Sequence, residues 1–127
     1  MAQVQDENPP IILMVEDDAL VRMDGAGMIE DAGFQVIEAG SADEAIAILE
    51  RATNVRLMFS DIDMPGSMNG LKLADFVHER WPDIRLLLTS GHHALTDSDV
   101  PDDGRFIAKP YTCNTVVSEI RDLLPGE

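Results

Sequence analysis

Three short apolar runs, Ile11–Val15, Arg56–Ser60 and Ile84–Leu88, stand out from their polar surroundings. Each is too short for a helix and is bounded by Pro, Asp or Gly, which predicts strands buried on both faces. Phe34–Glu38 and Phe106–Ala108 are weaker runs of the same kind. The stretches between them carry helical periodicity. Val21, Gly25, Met28 and Ala32 recur along one face of a helix that should stop at Gly33. Ser41 and Glu44 form a capping box ahead of Ala45, Ile46 and Leu49. Asn69 caps a third helix carrying Leu73, Ala74 and Val77 and ending before Pro82. Thr112 caps a last one carrying Val116, Ile120 and Leu123.

Strands alternating with helices imply a parallel sheet with right-handed crossovers. Five such units in 127 residues fit a single α/β domain. The matching architecture is a flavodoxin-like, doubly wound five-stranded parallel sheet with strand order 2-1-3-4-5. Residues 10–125 are assigned to it, with residues 1–9 and the last few residues as tails. Hydrophobic residues make up 45% of the chain, enough for a packed core. The formal net charge of −15 disfavours nucleic acid and anionic membrane and favours divalent cations and basic partners. Cys113 is the single cysteine, so no internal disulfide is possible, and its position suggests a small residue at a helix start. The acidic N-terminus lacks the layout of a signal peptide and no apolar run is long enough to span a bilayer, which predicts a cytoplasmic protein.

In an open α/β sheet, ligands bind at the carboxyl ends of the strands, where the strand order reverses. There the first strand runs into Glu16, Asp17 and Asp18, and the third into Asp61 and Asp63. The fourth ends at Thr89 and the fifth at Lys109. Glu16, Asp17 and Asp61 would repel one another strongly in a partly dehydrated pocket. A hard divalent cation such as Mg²⁺ removes that repulsion and accepts phosphate oxygens as further ligands. A carboxylate can form an acyl phosphate, while Lys109 and Thr89 supply a cation and a donor for the transferred group. Taken singly, each motif reads as ordinary turn chemistry. Only their conjunction at successive strand ends points to a site.

From about Ile11 to Leu124 the chain resembles the receiver domains of bacterial two-component response regulators. The matching stretches are Ile11-Ile12-Leu13-Met14-Val15-Glu16-Asp17-Asp18, Asp61-Ile62-Asp63-Met64-Pro65-Gly66, Leu88-Thr89-Ser90-Gly91 and Phe106-Ile107-Ala108-Lys109-Pro110. The resemblance implies a phosphorelay switch with Asp61 as phosphoacceptor. It implies Mg²⁺ bound by Asp17, Asp61 and the backbone carbonyl of Asp63, with Glu16 acting through water. It makes Thr89 and Lys109 phosphoryl contacts, Phe106 an aromatic switch and Lys109-Pro110 a cis bond. Phe106 can also be read as plain core of the fifth strand. Asp63 and Gly91 stand at positions that vary in the family and tune phosphoryl lifetime, so the lifetime is not set by the resemblance. The implied partners are a sensor histidine kinase or phosphotransfer protein and a downstream protein. With no residues left over for an output domain, the expected form is a stand-alone receiver, a phosphoacceptor rather than an enzyme in the usual sense.

Two rivals remain. Asp61-Ile62-Asp63 also resembles the acid-x-acid strand end of haloacid-dehalogenase-type phosphatases, which place it on their first strand in a larger domain. A phosphorylation-independent interaction module would keep the fold alone. His78 is expected to be solvated, and His92 and His93 to be loop residues, since their spacing is not that of a metal-ligand set. Trp81 should pack at a helix end, and Gly25 should let a helix approach the sheet. A fourth helix belongs between His92 and Gly104, yet that segment is a poor helix former. Thr96, Asp97, Ser98 and Asp99 compete for backbone hydrogen bonds, and Pro101 disfavours helical geometry at Val100. At most two mobile turns are expected there.

Overall fold

A computed structural model describes residues 9–92, 94–101 and 103–125 of the chain. His93, Asp102 and most of both tails, with the expectations attached to them, lie outside the described residues. Five strands form one parallel sheet in the order β2-β1-β3-β4-β5: β1 Ile11–Val15, β2 Gln35–Ala39, β3 Val55–Asp61, β4 Arg85–Ser90 and β5 Arg105–Ala108. The helices are α1 Ala19–Asp31, α2 Ala42–Leu49, α3 Gly70–Arg80 and α4 Cys113–Leu123. Fold class and strand order are those expected. Two strand ends matter for the site: β3 reaches Asp61, and β4 extends one residue past Thr89 to Ser90.

Alternation along the strands divides the core into two layers. Leu13, Val15, Met58, Leu86 and Leu88 pack with Ala45, Leu49, Leu73 and Val77 under α2 and α3. Ile12, Met14, Leu57, Phe59 and Leu87 pack with Ile29, Val116, Ile120 and Leu123 under α1 and α4. The central strands are therefore apolar at nearly every position, as a sheet covered on both faces requires.

The caps follow the sequence closely. Asp18, Ser41, Asn69 and Thr112 each accept a backbone N–H in the first turn of the following helix. Half of the capping box differs, because Glu44 takes the N–H of Gly40 rather than that of Ser41. Gly33, at φ 103°, ends α1 in the left-handed region. The buried face of α1 is rotated from the expected one. Gly25, Ala26 and Ile29 are buried, whereas Val21, Met28 and Ala32 are only half-buried. Gly25 does permit the close approach expected of it, since a Cβ there would lie 2.8 Å from Met14 Cε. His78 is half-buried on α3 rather than solvated. Trp81 ends α3 beneath the Arg80 guanidinium, 4.6 Å from its ring centre.

Between β4 and β5 the expected weakness is realised as a single 3₁₀ turn, Asp97–Asp99. The Thr96 hydroxyl and Asp99 carboxylate bond to each other, and Asp99 also takes the Thr96 N–H. Side-chain competition thus closes one tight turn in place of a helix. Asp97 spends its carboxylate on the Phe106 N–H of β5, 2.9 Å away. Val100 is the one residue of the turn and its flanks, from Thr96 to Pro101, that is fully buried.

Candidate functional site

The site lies where the sheet order reverses, at the carboxyl ends of β1, β3, β4 and β5. Asp18 turns away to cap α1, which leaves Glu16 and Asp17 facing the end of β3. Carboxylate oxygens of Glu16, Asp17 and Asp61 lie within 4.8 Å of one another. Glu16 and Asp61 are buried and Asp17 is exposed. Lys109, at the end of β5, donates to Glu16 Oε1 at 3.0 Å and stands 3.4 Å from Asp61 Oδ2. The Lys109-Pro110 peptide is cis.

Two of the three carboxylates, those of Glu16 and Asp61, share the Lys109 ammonium group, and the proton affinities follow. Burial, reinforced by the charge on Asp61, raises the pKa of Glu16 above its ordinary value despite the hydrogen bond from Lys109. Burial works against the Lys109 cation, but the bond to Glu16 and the charges of Asp61 and Glu16 outweigh it and raise its pKa. Both shifts express one condition, a pocket short of positive charge.

Asp61 and Thr89 are register partners on adjacent strands. Asp61 Oδ1 and Thr89 Oγ1 are both buried and make no hydrogen bond among the described residues. Such groups normally find partners, so two unpaired neighbours suit a group that brings its own oxygens and charge. The hard oxygen donors of Glu16, Asp17 and Asp61 fit Mg²⁺, and Thr89 fits a phosphoryl oxygen. Asp63 behaves differently. Its side chain leaves the carboxylate group and accepts from Ser90 Oγ at 2.6 Å. Phe106 is half-buried against the α2/α3 layer, so its core reading accounts for its packing.

Two contacts escape motif reading. Arg22 of α1 donates to the Glu16 carbonyl at 2.9 Å and pairs with Glu38 of β2, tying the loop of Glu16 and Asp17 to the neighbouring strand. Tyr111 meets Phe59 of β3 in an edge-type ring contact, with centroids 5.4 Å apart.

Residues 12–121 match the response regulator receiver domain family, and the chain belongs to it. Asp61 ends the third strand and Ile62-Asp63 follow it, away from the first-strand placement of the dehalogenase motif. Among its relatives is the response regulator receiver protein CpdR of Brucella abortus, 32% identical over 116 residues, covering 89% of this chain and 95% of CpdR. The sensor kinase CckA of the same organism is 31% identical over 117 residues, but these span only 12% of CckA. The crystal structure of a response regulator receiver protein from Sinorhizobium medicae superposes with a TM-score of 0.85 at 27% identity, covering 95% of this chain and 98% of that one. No helix among the described residues is long and apolar enough to cross a membrane.

Proposed function

We propose that residues 10–125 form a phosphoacceptor switch that takes a phosphoryl group onto Asp61 from a histidine kinase or phosphotransfer protein. The observation carrying this reading is the register pair Asp61–Thr89, whose two buried oxygens have no partner among the described residues, with Lys109 3.4 Å from Asp61. Asp17 and Asp61, with the backbone carbonyl of Asp63, would hold Mg²⁺ directly and Glu16 through water. When bound, that cation neutralises charge on the transferring group.

Asp61 attacks phosphorus through a carboxylate oxygen. The phosphorus–nitrogen bond of the donor phosphohistidine breaks, its electron pair returns to the imidazole, and an acyl phosphate remains on Asp61. Lys109, already within ion-pair distance of Asp61, pairs with the arriving phosphoryl oxygens, and Thr89 donates its hydroxyl to them. Hydrolysis resets the switch. Water bonds to phosphorus, the Asp61–phosphorus bond breaks, and inorganic phosphate leaves. Nothing beyond this loading and self-hydrolysis is assigned as catalysis. Output runs through protein contacts. Movement of Thr89 toward the phosphoryl group shifts the segment after β4, with Phe106 as its neighbour on β5, and so alters the surface offered to a downstream protein. Nuclear magnetic resonance with beryllofluoride and Mg²⁺ tests this reading. Shifts centred on Asp61, Thr89 and Lys109, requiring both reagents, are expected. A spectrum indifferent to the pair would leave the phosphorylation-independent module as the better account.

A further inference from the structure

Ser90 is the last residue of β4, beside Thr89, and its side chain is almost fully buried. Its hydroxyl accepts the backbone N–H of His92 at 3.0 Å and donates its proton to Asp63 Oδ2 at 2.6 Å. Its carbonyl accepts the N–H of Lys109 at 3.0 Å. The serine is therefore immobilised from both neighbouring segments, and its one proton has a fixed direction. Asp63 lies two residues beyond Asp61 on the loop after β3, and Glu16, Asp17 and Asp61 already form a cluster of three carboxylates with one ammonium group, Lys109, paired to Glu16 and Asp61. A fourth carboxylate swinging into that group would raise its affinity for a cation and repel an incoming phosphoryl anion.

We infer that Ser90 is a positioning residue that holds the Asp63 carboxylate against β4 and out of the acidic group, keeping the pocket open to an anionic phosphoryl group. This inference rests on the phosphoacceptor reading above and concerns its charge balance. It makes Ser90 responsible for two quantities that move in opposite directions when its hydroxyl is lost. Cation affinity rises because a fourth carboxylate becomes available, and phosphoryl uptake slows because the pocket gains a negative charge. Loss of fold would weaken both.

The test is calorimetric titration with Mg²⁺ and the rate of phosphorylation by acetyl phosphate, followed by intact mass, in four proteins: native, Ser90→Ala, Asp63→Asn and the double variant. Ser90→Ala should bind Mg²⁺ about three- to tenfold more tightly and phosphorylate more slowly by a similar factor. The double variant should lose both effects and match Asp63→Asn. Ser90→Gly, which adds no bulk at the buried position, should reproduce the paired shifts. Changes of one sign in both quantities, or paired shifts that persist in the double variant, would overturn the inference. So would a large loss of Mg²⁺ affinity in Asp63→Asn alone, which would make that carboxylate a ligand already. Native protein that never accepts a phosphoryl group would defeat the functional reading instead, while the Mg²⁺ titrations still decide where Asp63 is held.

Discussion

Replacing Lys109 with Met removes one charge and keeps most of the aliphatic stem. Its ammonium nitrogen lies 3.0 Å from Glu16 Oε1 and 3.4 Å from Asp61 Oδ2, and both carboxyl side chains are under 5% exposed. At an effective dielectric near 20, a unit pair at such distances attracts by roughly 5 kcal/mol. Desolvation offsets much of that, and breaking one partner of a buried pair costs about 3–5 kcal/mol. The Lys109 side chain is 26% exposed, and Glu16 can take up a proton once its cation is gone. The expected loss is therefore about 2–3 kcal/mol at neutral pH, or on the order of 10 °C in melting temperature for a domain of this size. Saturating Mg²⁺ should close most of the gap, because a divalent cation then supplies the missing charge. Lys109→Met should still bind Mg²⁺, since the proposed function assigns Lys109 to the phosphoryl group rather than to the metal. Thermal unfolding with and without Mg²⁺ reads all of this. A variant as stable as the native protein without Mg²⁺, or one unable to bind the cation, would refute the electrostatic reasoning.

Mg²⁺ alone should stabilise the native protein, by about 2.7 kcal/mol at one hundred times its dissociation constant, and Asp17→Asn should lose most of that gain. A melting temperature indifferent to millimolar Mg²⁺ would count against the site. Glu16 gives a pH dependence. Its folded pKa is raised above the ordinary 4.5, so its contribution to stability is full below that value and is lost as pH climbs through the folded pKa. Metal-free native protein should show this decline in urea unfolding across mildly acidic pH, and Glu16→Gln should abolish it. Mg²⁺ affinity should fall in the same window as pH drops, because the proton and the cation compete. In hydrogen exchange, residues 94–101 should be weakly protected in the free protein and more protected with beryllofluoride and Mg²⁺. Equal, strong protection in both states would contradict an ordering of that segment.

Glu16, Asp17, Asp61, Thr89 and Lys109 were legible in the sequence because each follows an apolar run, and a parallel sheet carries all such run ends to one edge. The interruption at Thr96–Pro101 was legible too, since the competing side chains and the proline act locally. The buried face of α1 was not. Its apolar side chains are distributed on several sides, with Leu20 and Met23 exposed, and the close approach at Gly25 turns the helix toward Gly25, Ala26 and Ile29. Nor were the bonds from Ser90 to Asp63 and from Arg22 to the Glu16 carbonyl. Both depend on how strand ends and a helix are placed relative to one another in space, which spacing along the chain does not encode.

Phosphorylation of Asp61 is tested most directly by incubating the protein with acetyl phosphate and Mg²⁺ and measuring intact mass. The native chain should gain one phosphoryl group, lose it when Mg²⁺ is omitted from the loading reaction, and show no gain as Asp61→Asn. A phosphoryl group that persists in Asp61→Asn would contradict the assignment of Asp61 as the acceptor.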